Sequence, residues 1–149
     1  NKIPIFFCFD KNMVMPAGVC ITSMLLNKHT NTYYDFFILY NEENLSSEYR
    51  SQILKNKIFI LKIVVFLFLR RRIIKNAYEV RNITVSTYYR LLVPELIDQI
   101  NSLHQTDYQT NLLDVDTIIE CDLSAVLALA QSKVDTCLLG VCESPTYVM

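Results

Sequence analysis

The segment Ile3 to Phe9, Ile-Pro-Ile-Phe-Phe-Cys-Phe, constrains this chain more than any other. Seven successive apolar residues leave a strand no polar side. Both faces must then be buried, as in a parallel sheet with helices above and below it. Asp35 to Tyr40 and Ile58 to Leu69 have the same apolar character. Between the first two runs, after the polar break Asp10-Lys11-Asn12, a helix is expected from about Pro16. Ala17, Cys20 or Ile21, and Met24 recur at helical spacing, and proline is tolerated in a first turn. The second run ends in the polar turn Asn41 to Asn44. Leu45, Tyr49 and Ile53 then repeat every four residues among Glu48, Arg50 and Gln52, the pattern of a surface helix capped by Asn44 or Ser46. Strand and helix in alternation predict an open, largely parallel α/β sheet flanked by helices.

Beyond Leu69 the signal is weaker. Arg70 to Arg81 reads as loop or short helix. Thr87 to Leu92 reads as a helical turn, and Pro94 either kinks it or opens a second piece with Leu96, Ile100 and Leu103 on one face. Leu112-Leu113 runs into Asp114, Val115 and Asp116, Thr117 to Ile119 continues extended, and Thr136 to Cys142 is another buried strand. Gln105 to Asn111 is polar, unlike the apolar runs read as buried strands. Thr110 and Asn111 in a central strand would need partners or cost about 1 to 3 kcal/mol each. No repeat or Gly/Pro/Ser-rich linker divides residues 1–149, which read as one domain.

Composition removes several function classes. The chain has 2 glycines, Gly18 and Gly140, where average usage would give roughly ten. Glycine-rich phosphate cradles of the Walker and dinucleotide types are therefore excluded. Fourteen Lys and Arg against 15 Asp and Glu give a net charge of −1, which argues against nucleic acid as a partner. Five cysteines, an odd count without Cys-x-x-Cys spacing, point to free thiols in a reducing compartment. Ile58 to Leu69 falls short of the ~20 residues that span a bilayer, so no transmembrane segment is expected. Ile3 to Phe9 is too short for a signal peptide. The cytoplasm follows, and the basic triplet Arg70-Arg71-Arg72 leaves room for peripheral contact with the inner face of the membrane. His29 and His104 lie in polar segments without partners at ligand spacing and read as surface residues.

Ligands of such sheets collect beyond the carboxyl ends of the strands. Asp10 follows the first strand there, and Asp114 and Asp116 follow the pre-terminal one. Two carboxylates at i and i+2 in extended backbone project to one side, where both can approach one hard divalent cation. Such a cation would neutralise a diphosphate in place of the missing glycine loop. Asp-x-Asp alone is common, and a solvated turn is the simpler account of it. Asp122 is most simply the cap of a short helix from Ser124.

Four stretches, in order, carry a resemblance. Phe7-Cys8-Phe9-Asp10-Lys11-Asn12 with the helix Pro16 to Leu26, Ile83-Thr84-Val85-Ser86-Thr87-Tyr88-Tyr89-Arg90-Leu91, Leu113-Asp114-Val115-Asp116-Thr117-Ile118-Ile119-Glu120-Cys121-Asp122-Leu123, and Leu139-Gly140-Val141-Cys142 resemble glycosyltransferase family 8. That family includes lipopolysaccharide galactosyl- and glucosyltransferases and glycogenins. The resemblance implies a GT-A type, Rossmann-like fold, a UDP-sugar donor, a Mn²⁺ ion (Mg²⁺ as a substitute), a glycan or lipopolysaccharide acceptor, and transfer with retention. Carried over by position, Asp114 and Asp116 would hold the metal with Val115 between them against the donor. Asp10 and Asn12 would contact uridine and ribose, and Met13 stands where an aromatic often stacks on uracil. Arg90 would reach the donor's phosphate or sugar and is the expected catalytic residue. Thr87 and Tyr88 could touch the donor.

The family pattern continues into a His-x-x-Gly-x-x-Lys segment that this sequence lacks. The chain is therefore expected to be truncated: the donor-binding part of a hexosyltransferase, or a non-catalytic remnant that associates with a partner. A haloacid-dehalogenase-type phosphotransferase also uses Asp-x-Asp after an apolar strand, but on its leading strand.

Overall fold

The computed structural model describes residues 2–40, 45–55, 64–68 and 84–132. The front of the third apolar run (58–63), the stretch from Arg70 to Arg81 with its basic triplet, and the expected strand from Thr136 to Cys142 lie outside these residues.

Among the described residues three parallel strands form the sheet: β1 (Lys2–Cys8), β2 (Tyr33–Tyr40) and β3 (Val64–Phe68), in the order β1-β2-β3. Parallel neighbours need a crossover, and α1 (Val14–Asn27) makes the first one, while α2 (Ser47–Lys55) falls between β2 and β3. On its other edge β1 meets Leu112. Phe6 N–H donates to Asn111 O at 2.8 Å, and Leu113 N–H donates to Phe6 O at 3.1 Å. So β1 is paired on both edges and buried on both faces, as its unbroken apolar run requires.

The strand pleat sorts the core into two layers. Ile3, Ile5, Phe7, Tyr34, Phe36 and Ile38 pack against Ala17, Cys20, Ile21 and Met24 of α1 and Ile53 of α2. Phe6, Cys8, Phe37 and Leu39 face the other way. They meet Val85 of the four-residue α3 (Val85–Tyr88), Tyr89 of the 3-10 turn Tyr89–Leu92, and Val93, Ile97 and Ile100 of α4 (Val93–His104). Phe6 and Phe37, opposite each other in register, stack with ring centroids 4.8 Å apart. Burying each such ring is worth about 1.5–3 kcal/mol.

Three local expectations are corrected. The first helix starts before Pro16: a 3-10 turn at Lys11–Met13 leads into α1, so Pro16 is its third residue, where no intrahelical N–H bond is lost. Of the two outcomes open for Pro94 it opens α4, but the stripe buried against the sheet is Val93, Ile97 and Ile100, with Leu96 partly buried beside it, rather than Leu96, Ile100 and Leu103. Leu103, in the last turn before Gln105 enters the left-handed region at φ 52°, is 78% exposed. The polar stretch 105–111 is not a central strand. Asn101 Oδ1 accepts from Tyr108 N and Thr106 Oγ1, and its Nδ2 donates to Tyr108 O, all at 2.8 Å. Asn111 Nδ2 donates to Pro4 O at 3.0 Å, and Thr110 is exposed. The desolvation cost expected for these side chains is avoided by surface placement and direct pairing.

The last helix among the described residues, α5 (Leu123–Gln131), is capped as the sequence suggested. Asp122 Oδ1 accepts from Ser124 N at 2.7 Å, and Oδ2 accepts from His29 N, which ties this cap to the end of α1. Among the described residues no helix is long and apolar enough to cross a membrane.

Candidate functional site

At the carboxyl end of β1 the chain passes through the buried Phe9 and turns at Asp10. Asp10 is extended (φ −105°, ψ −177°), and its Oδ1 accepts from Asn12 N at 2.8 Å. This cap forces the tight turn that brings Asn12 and Met13 back over the strand end.

Asp114 and Asp116 lie beside that turn, but not in extended backbone. Val115 and Asp116 form a turn, closed by Thr117 Oγ1 donating to Asp114 O at 2.7 Å. Val115 N donates to Asp114 Oδ1 at 3.1 Å. The turn replaces the expected strand because Val115 drops into the α1 side of the core, where it is 3% exposed. The aspartates on either side of it are thereby left at the surface. The segment after Thr117 runs as irregular chain along α1 rather than as a strand.

Arg90, in the 3-10 turn after α3, comes from the opposite face of the sheet. One guanidinium nitrogen lies 3.9 Å from Asp114 Oδ1. Its Nε is buried and has no hydrogen-bond partner among the described residues. A buried donor without an acceptor is costly, and a bound anion would relieve it.

These residues line one cavity of about 600 Å³, within the usual size for a small-molecule site. All seven expected site residues, Asp10, Asn12, Met13, Arg90, Asp114, Val115 and Asp116, are on its wall. Thr87 joins them, and Tyr88 is not among the lining residues. Sequence reasoning missed Cys8, Phe9, Thr84 and Ser86. The run Thr84-Val85-Ser86-Thr87, three hydroxyls just before Arg90, was the available signal.

The Cys8 thiol is pushed up to about 12 by burial, with Arg90 pulling it down and Asp114 pushing it further up. It is a protonated wall of the cavity, not a nucleophile. Cys20 is also raised, chiefly by burial, and no disulfide involves Cys8, Cys20 or Cys121. His29 and His104 are exposed.

The residues that could hold a divalent cation on this wall would supply only a partial shell. Asp114 and Asp116 offer hard oxygen ligands from one turn, and among the described residues no three His, Cys, Asp or Glu side chains converge to form a closed site. The remaining positions would be left to water and to the oxygens of an anionic ligand.

No family model and no curated protein matches this sequence. Solved structures match its fold. An active-site mutant of LgtC has a TM-score of 0.61 at 20% identity, over 83% of this chain and 41% of that one. The galactosyltransferase LgtC in complex with donor and acceptor sugar analogues gives 0.58 at 19% identity, with the same coverages, 83% and 41%. The bifunctional glycosyltransferase WbbM gives 0.60 at 22%, over 85% of this chain and 21% of that one. The chain thus spans less than half the length of each of these structures. The small parallel sheet with helices on both faces is a glycosyltransferase fold of the GT-A type.

Proposed function

We propose that this chain is the donor-binding part of a retaining hexosyltransferase of the glycosyltransferase family 8 kind, taking UDP-glucose or UDP-galactose with Mn²⁺ or Mg²⁺ and acting on a glycan or lipopolysaccharide acceptor. One observation carries the reading: the residues singled out by the family resemblance, scattered from Asp10 to Asp116 in sequence, line a single cavity at the carboxyl edge of the parallel sheet.

In this reading Asp10 and Asn12 hold the uridine and ribose, and Met13 packs its thioether on the base. Asp114 and Asp116 hold the cation, which when bound supplies Lewis-acid neutralisation of the diphosphate. Arg90 directs its guanidinium fork at the phosphate and stabilises charge as UDP departs. The bond from the anomeric carbon to the β-phosphate oxygen breaks, and the acceptor hydroxyl oxygen bonds that carbon from the same face. The hydroxyl proton passes to the departing phosphate. Thr84, Ser86 and Thr87 line the same wall, a composition that suits a polyhydroxylated sugar.

Thermal melting of the chain with Mn²⁺ and a panel of nucleotides tests the donor class. UDP at about a hundred times its Kd should stabilise the fold by about 2.7 kcal/mol, while ADP and GDP at that concentration should shift the melting point far less. Equal shifts for all three, or none, would contradict a uridine site and leave a non-catalytic, partner-binding chain.

A further inference from the structure

We propose that Thr117, seated on Cys20, is the positioning residue for the Asp114–Asp116 turn, so that α1 rather than the sheet holds the two carboxylates in place. The functional part of this inference rests on the reading of the turn as a metal and diphosphate site. Among the described residues the last backbone bond from this segment to the sheet is Leu113 N to Phe6 O. Beyond it, side chains of α1 take over. Cys20 Sγ lies 3.6 Å from Thr117 Oγ1 and 3.9 Å from Asp114 O. Ser23 Oγ accepts from Ile119 N at 2.9 Å, and Asn27 Nδ2 donates to Ile119 O at 2.8 Å.

Cys20, Ser23 and Asn27 are three and then four residues apart, which places them on one stripe of the helix. That stripe does for the segment what a neighbouring strand would do, bonding successive points of its backbone. Proton counting orders the contacts at the turn. Thr117 has one hydroxyl proton and donates it to Asp114 O at 2.7 Å. The one proton of the Cys20 thiol then faces two acceptors, Thr117 Oγ1 and Asp114 O, and either bond seats the turn on α1. Cys20 is fully buried, so this thiol is a fixed seat. With Val115 anchored in the core, the turn is pinned at its middle and at its closing residue, which fixes the relative directions of the two aspartates.

Two measurements on the full chain and its variants test this. In amide hydrogen exchange, Thr117→Val and Cys20→Ala should speed exchange at Val115 to Thr117 while leaving β1 unchanged, and Thr117→Ser should behave as wild type. In Mn²⁺-dependent UDP titration, Thr117→Val should bind about tenfold or more weakly, the usual penalty for losing a group that orients a metal ligand, and Thr117→Ser should restore binding. Should Thr117→Val fail to fold, Cys20→Ala carries the same expectations. Unchanged exchange at the turn in a folded variant overturns the positioning role. If wild type shows no metal-dependent UDP binding, the metal reading fails separately, and exchange alone decides whether Thr117 sets the turn.

Discussion

Arg90 is the one cation among the described residues that line the cavity, and it is held there by its place in a 3-10 turn rather than by a strong ion pair. Its contact with Asp114, whose side chain is 58% exposed, is 3.9 Å long and contributes little to stability in water. In the proposed reading its value is toward an anion. Arg90→Lys keeps the charge but loses the planar fork and the buried Nε donor, so UDP affinity should fall about tenfold, or about 1.4 kcal/mol, in a calorimetric titration. Affinity equal to wild type would remove Arg90 from the phosphate. Cys8 makes a second residue-scale prediction. Its thiol, pushed up to about 12 by burial, stays protonated and shielded at neutral pH. Iodoacetamide followed by peptide mapping should label the exposed Cys121 in the folded chain and reach Cys8 and Cys20 only after denaturation. Labelling of Cys8 as fast as Cys121 would place it outside the core.

At the scale of elements, two polar joints carry predictions. Asp122 ties the cap of α5 to the end of α1. Burial alone would raise its pKa. Hydrogen bonds from the Ser124 and Thr32 side chains and the His29 and Ser124 amides reverse that and hold the carboxyl below its ordinary range. A depressed folded-state pKa means that the stabilisation is present above the unfolded value near 3.9 and is lost as pH falls below it. The chain should lose stability in acid from about pH 4 downward, and Asp122→Ala should cost about 1–2 kcal/mol at pH 7 and flatten that acid limb. The other joint is the Tyr108 hydroxyl donating to the buried Asp35. Burial and the Asp35 carboxylate push Tyr108 up to about 12, so its contribution persists below pH 10 and fades between about 10 and 12. Tyr108→Phe leaves Asp35 with Lys2 at 3.7 Å and should lower stability by about 1–3 kcal/mol in urea unfolding. Neither joint was fully legible beforehand. The cap at Asp122 could be read from Asp-Leu-Ser before an apolar run, because capping is local. The bonds of Asp35 to Tyr108 and of Asp122 to His29 join residues far apart in sequence, and no periodicity encodes them.

For the whole molecule, the α/β sheet was legible because doubly buried parallel strands leave an unbroken apolar run, as at Ile3 to Phe9. The start of α1 and the face of α4 were less so, since a start one turn early or a stripe one residue over suits the same apolar spacing. The cavity was legible as a set of residues, yet its geometry was not. Two carboxylates expected on an extended segment sit instead on a turn, because Val115 is buried in the core and Thr117, against Cys20, closes the turn. The central claim is that this turn holds a divalent cation through which UDP binds. Isothermal titration of the chain with UDP, in Mn²⁺ and then in EDTA, tests it most directly. Saturable binding should occur in Mn²⁺, vanish in EDTA, and fail in Asp114→Ala and Asp116→Ala variants that melt like wild type. UDP affinity that is the same with and without metal would contradict the account.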